Sequence, residues 1–179
     1  MKTIEITATT ITDSIKQLQN ITGGSLTTDV KEQYLKIDSE LGFGYIRGMR
    51  LKGGISFLQF DMTFNDHIKL VFNAPKQSLV NFAYCSEGKI AHTFDNRENR
   101  IELETFQTGI LSNITQEKNI IYFDRGVQTS ASIISVNTLF GDAENYVINN
   151  QLRERFITNK TEDIAFFSSP NLKIAQRMK

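Results

Sequence analysis

Few residues in this sequence could carry chemistry. The chain holds two histidines, His67 and His92, and one cysteine, Cys85. A metal centre takes three or four convergent nitrogen, sulfur or oxygen donors. Two scattered histidines do not supply them, so no metal and no cofactor is expected. A nucleophilic thiol needs a base within hydrogen-bond reach. No histidine neighbours Cys85 in sequence, so it reads as a small core residue. Gly23-Gly24 and Gly53-Gly54 lack the spacing and trailing lysine of a phosphate loop, and no Gly-x-Ser-x-Gly elbow occurs. Glu102 and Glu104 share one strand face beside Arg100 and read as solvated charges. No catalytic residue emerges, and an enzyme is not expected.

Two residues stand apart from this pattern. Alternation places Ile90, His92 and Phe94 on one strand face and Lys89, Ala91 and Thr93 on the other. If the apolar pair faces inward, so does His92. It is then either a ligand contact titrating near neutral pH or a core histidine satisfied by a neighbour. Arg47, if buried, requires an acidic partner from the protein or from a ligand. At the surface it is simply solvated. His67, beside Asp66 at a turn, is expected in solvent.

The elements that position these residues follow from length and pattern. A chain of 179 residues is one domain, or one domain with an appendage. Its 20 basic and 20 acidic residues balance, which argues against nucleic-acid binding by bulk electrostatics. The N-terminus has no apolar run like a signal peptide, and no stretch approaches the ~18 apolar residues of a membrane span. A soluble cytoplasmic protein with no membrane contact is expected. Ile11, Ile15, Leu18 and Thr22 fall at helical spacing, with Asp13 as the expected N-cap and Gly23-Gly24 as the stop. From Glu32 to Asn137 the pattern becomes short strands separated by turns. Leu58, Phe60, Met62 and Phe64 alternate most clearly, and Glu87-Gly88 tips a hairpin. After Asn137 the pattern turns helical, with Asp142 as a cap, Ile148, Leu152 and Phe156 on one face, and a second start at Ser169-Pro170. About ten short strands followed by helices give a mainly β class, a barrel or sandwich.

The segment Gly42-Phe43-Gly44-Tyr45-Ile46-Arg47-Gly48, then Gly54-Ile55-Ser56 and Asp61-Met62-Thr63-Phe64, resembles the N-terminal domains of AraC-type transcriptional regulators, in a Bacteroidetes-like branch. The run Phe82 to Phe94 is similar to the Tyr-x-Leu-Glu-Gly-x-x-x-His-x-Phe hairpin of those barrels. The resemblance implies a cupin-like β-barrel (a double-stranded β-helix or jelly roll) over 32–137, preceded by a strand and helix over 1–31. A helical dimerisation segment would occupy 138–179. Cupin metal sites are similar to one another in pairing two histidines one residue apart, then a glutamate seven residues before the hairpin-tip glycine. With Gly88 as that glycine, Asn81 takes the glutamate's place, and no histidine stands near 75–77 or between Gln107 and Phe123.

The implied function is the regulatory half of a transcription factor: effector sensing and homodimerisation, without the helix-turn-helix half through which the family binds DNA. If the barrel is hollow, its small-molecule effector would meet Arg47, Phe60, Phe72, Phe82, Tyr84 and His92. Leu152, Phe156, Leu172 and Met178 would form the dimer seam. Thirteen phenylalanines could instead fill the barrel, leaving a protein-interaction module with no ligand. A stand-alone cupin isomerase or dioxygenase is the remaining alternative, and the missing ligand set argues against it.

Overall fold

A computed structural model of the protein describes residues 1–73, 78–95, 100–114, 118–139 and 146–170. In chain order they form β1 (Lys2–Ile6), α1 (Ile11–Thr22), β2 (Ser25–Thr28), β3 (Glu32–Ser39) and β4 (Gly42–Arg50). Next come β5 (Ile55–Phe64), β6 (Ile68–Phe72), β7 (Leu79–Glu87), β8 (Lys89–Phe94) and β9 (Ile101–Glu104). The remainder are β10 (Thr108–Ser112), β11 (Asn119–Phe123), β12 (Gln128–Asn137), α2 (Tyr146–Phe156) and β13 (Ile164–Phe167).

Strands β5 to β12 are wound as a jelly roll. One sheet runs β5-β12-β7-β10 and the facing one β6-β11-β8-β9. This is the two-Greek-key order of the cupin-like class, and it is the class read from the sequence. The sheets are then extended. Strands β4, β3 and β2 widen the larger sheet beyond β5, β13 borders β10, and β1 pairs in parallel with β6. The overhanging strands leave an inner face that the jelly roll itself does not cover.

Helix α1 covers that face. Thr10 is its N-cap, not Asp13: the Thr10 hydroxyl accepts from the Asp13 backbone N–H and donates to the Asp13 carboxylate at 2.7 Å. Asp13 therefore stands three residues into the motif, as in a capping box, and the N-cap read from sequence moves to Thr10. Gly23 ends the helix in the left-handed conformation, its N–H donating to the Gln19 carbonyl. Ile15 and Leu18 are buried against the inner face of β3 and β4, in one cluster with Leu35, Ile37 and Ile46. Close approach depends on Gly48. A Cβ there would lie 2.8 Å from Ile15 and 3.1 Å from Ile11.

The interior continues between the sheets. Phe60 and Phe64 each pack against Phe123 with ring centroids 5.1 Å apart. Ala83 and Cys85 face inward on β7, so Phe82 and Tyr84 face the outside of the larger sheet.

The C-terminal part departs from the expected helical segment over 138–179. Helix α2 is present and lies against β7, but β13 is a strand, paired antiparallel with β10 from Ser112↔Ile164 to Gly109↔Phe167. The run Ile164-Ala165-Phe166-Phe167 has strand propensity, but four residues are too few for its period to show against a helical neighbourhood. The pairing is fixed by side chains. The Asp163 carboxylate accepts from the Ile114 N–H at 2.6 Å, and the Thr108 and Ser168 hydroxyls share a hydrogen bond at 2.6 Å. The cap at Asp142, and the helix beyond Pro170 with Leu172 and Met178, lie outside the described residues.

If Gly48 is the seat of α1, Gly48→Val destabilises the domain by about 1–3 kcal/mol through overpacking. Urea denaturation is expected to show this loss. An unchanged midpoint would mean that α1 does not rest on β4.

Candidate functional site

The interior is not uniformly filled. Strand register aligns Ser56, Ser135, Asn81 and Leu111 as one inner row across the larger sheet. On the facing sheet, Phe72 pairs with Asn119, and Leu70 with Ile121, which pairs with His92. Small and polar residues thus occupy one end of the sandwich while phenylalanines fill the other. A cavity of about 140 Å³ results.

Three groups of residues line this cavity. Ser56, Asn81, His92, Asn113, Asn119 and Ser135 present polar atoms. Leu58, Phe72, Leu79, Leu111, Ile121 and Ile133 form an apolar wall. The segment entering α1 contributes Ala8, Thr9, Thr10, Ile11 and Ser14. None of the described lining residues carries a carboxylate, thiol, amine or guanidinium.

His92 is buried at 2 % exposure. Its ring meets that of Phe94 edge-on, with centroids 4.6 Å apart. Its Nε2 lies 3.3 Å from the Asn119 Oδ1. An amide oxygen only accepts, so Nε2 donates and Nδ1 carries the lone pair. That Nδ1 has no hydrogen-bond partner among the described residues. Burial pushes the His92 pKa down to about 4, against smaller upward contributions from the Asn119 hydrogen bond and the Asp163 charge. The ring is therefore neutral at physiological pH. It can hydrogen-bond a ligand, but it is not a proton donor there.

The other residues singled out from sequence fall in several places. Phe72 lines the cavity with His92. Phe60 is buried in the filled end against Phe123. Phe82 and Tyr84 line a different hollow outside the larger sheet, with Ile110 and Ile134. Strand alternation turns these two rings outward, because Asn81, Ala83 and Cys85 take the inward positions on β7. Arg47 is half-buried on the outer face, paired with the Glu32 carboxylate beside the stacked Tyr34 and Tyr45 rings. Its acidic partner comes from the protein. Leu152 and Phe156 are half-buried within this chain. There the Phe156 carbonyl accepts from the Ser112 hydroxyl at 3.0 Å, and the Asn149 amide donates to the Gly53 carbonyl at 3.1 Å.

The remaining reactive groups are occupied or inert. Burial pushes the Cys85 thiol up to about 11, and its Sγ–H donates to the Glu87 carbonyl at 3.3 Å. His67 is exposed, 3.3 Å from Asp124. Glu102 pairs with Lys89 at 3.4 Å in solvent. Among the described residues no group of three or more His, Cys, Asp or Glu converges. One imidazole with neutral amides and hydroxyls does not fit a catalytic transition metal.

Sequence reasoning missed Asn113, Asn119 and the lining contributed by the start of α1. Asn81 was visible only as the residue standing where a cupin glutamate would be. The available signal was alternation: the small residues Ala83 and Cys85 mark the inner face of β7, and Asn81 shares their parity.

No protein-family model matches this chain, and no curated protein matches it. Among solved structures it is similar to the AraC-like transcriptional activator CuxR, with 10% identity and a TM-score of 0.38 over 60% of this chain and 39% of that one. It is also similar to the protein Ylba from E. coli, with 6% identity and a TM-score of 0.40 over 66% of this chain and 51% of that one. An oxalate decarboxylase variant from B. subtilis is similar at 6% identity and a TM-score of 0.37, over 68% of this chain and 29% of that one. The alignments thus span between about a third and a half of the length of these structures.

The depressed pKa of His92 makes stability pH-dependent. The unfolded chain, with an ordinary imidazole near 6.5, binds a proton that the folded state refuses until about pH 4. The contribution of His92 is therefore complete above pH 6.5 and falls as pH drops towards 4. Between pH 7 and 5 the loss is about 2 kcal/mol. Urea titrations at the two pH values are expected to show it in the native chain and not in His92→Phe. An equal loss in both proteins would place the titrating group elsewhere.

Proposed function

We propose that this chain is the effector-sensing regulatory domain of an AraC-type transcription factor and that it acts without catalysis. One observation carries the reading: the cavity is lined both by jelly-roll strands and by the segment that enters α1. Its described lining holds no carboxylate, thiol, amine or guanidinium, and His92 is neutral near pH 7. Such a lining suits reversible binding through hydrogen bonds and apolar contact. The sequence resemblance from Gly42 to Phe94 supplies the family.

The geometry supports a relay. Helix α1 touches the cavity through Thr10, Ile11 and Ser14, and the overhanging β3 and β4 through Ile15 and Leu18. A ligand contacting the first group favours one placement of the helix and shifts a pre-existing equilibrium by its differential affinity. In this reading the domain works as a cytoplasmic homodimer. The apolar residues that α2 exposes, Val147 at 63% and Ile148 at 55%, are candidate contacts beside Leu152 and Phe156. DNA would be bound by a helix-turn-helix module outside these 179 residues.

A thermal-shift screen against small metabolites tests this proposal. A ligand at a hundred times its Kd raises stability by about 2.7 kcal/mol, and it is expected to be recovered chemically unchanged. Consumption of a hit by the purified domain would contradict the non-catalytic reading.

A further inference from the structure

We infer that the cavity takes an uncharged, single-ring compound bearing hydroxyl groups, such as a phenol or a cyclic diol. This deepens the sensing reading above and rests on it.

The first argument is charge. No described lining residue is ionised at neutral pH, and His92 is neutral there. A carboxylate, phosphate or ammonium group entering the cavity would lose its hydration and meet no counter-charge, which is costly. The Asp163 carboxylate, whose charge is felt at His92, is already engaged by the Ile114 N–H. Among the described lining residues neither a cation nor an anion has a counter-charge.

The second argument is size. A cavity of about 140 Å³ compares with the engineered protein cavity of about 150 Å³ that holds benzene. A ligand of roughly six to ten non-hydrogen atoms fits, so one ring and its substituents fill the space.

The third argument is the distribution of polarity. Phe72, Leu58, Leu111 and Ile133 offer apolar surface to a ring, and Asn81, Asn119 and His92 line the same cavity beside them. An amide both donates and accepts, and His92 keeps an acceptor at Nδ1 that no group among the described residues satisfies. A hydroxyl group both donates and accepts, so it suits this lining. A bare hydrocarbon would leave the Nδ1 acceptor unmet.

Calorimetry on the unmodified chain at pH 7.5 tests the class with named probes. Phenol and cyclohexane-1,2-diol are the neutral pair, and benzoate and benzylammonium are their charged counterparts. Binding of a neutral probe at least tenfold tighter than either charged one is expected. Asn81→Leu and His92→Phe are each expected to weaken it a further tenfold or more. Benzoate or benzylammonium binding as tightly as phenol would overturn the class. The two failures separate in the metabolite screen. A charged metabolite that stabilises the chain would refute the ligand class and leave the sensing reading standing. If no compound of either kind binds and Asn81→Leu raises the melting temperature, the cavity is a packing defect and both readings fall.

Discussion

Side-chain volume is distributed unevenly along the inside of this sandwich, and the rest of the structure follows from that. At one end Phe60, Phe64 and Phe123 interlock at ring distances typical of aromatic packing. At the other end the aligned strands supply Ser56, Ser135 and Asn81. These three cannot fill the width between two sheets, so the end stays hollow. A protein with this inner row could close the gap by collapse or by a covering element. Here the covering element is α1, held by its contact with β4 at Gly48.

That arrangement makes one helix serve two purposes. Its buried residues complete the core under the overhanging strands, which ties it to global stability. Its first turn borders the cavity, which exposes it to whatever the cavity holds. The electrostatics agree with a binding role. A buried imidazole kept neutral, with one ring nitrogen unpaired among the described residues, is held at a cost of about 1–3 kcal/mol for the missing partner. Solid cores avoid such groups by packing an apolar residue in their place.

Much of the fold was legible in the sequence. Alternation from Leu58 to Phe64 and the Glu87-Gly88 tip announced the strands, and the structure has β5 over Ile55–Phe64 and the β7–β8 hairpin turning at Gly88. The inward His92 followed from the parity of Ile90 and Phe94. What escaped had physical reasons. Aromatic residues signal burial but not which side of a sheet they are buried on, so Phe82 and Tyr84 were assigned to the wrong face. The Thr10 cap was hidden because Thr and Asp both cap helices and only geometry separates them. The strand β13 was hidden because a four-residue partner strand is defined by its neighbour β10, not by its own pattern. The joint lining by α1 and the strands was not legible at all, since it depends on contacts between residues far apart in the chain.

The central claim is that occupation of the hollow end is felt by α1. Amide hydrogen exchange measured with and without a stabilising compound addresses it most directly. The account expects added protection concentrated in residues 11–22 and in β3 and β4 beneath them, with little change in α2. Protection confined to α2 and the outer face of β7 and β10, with α1 unaltered, would contradict it.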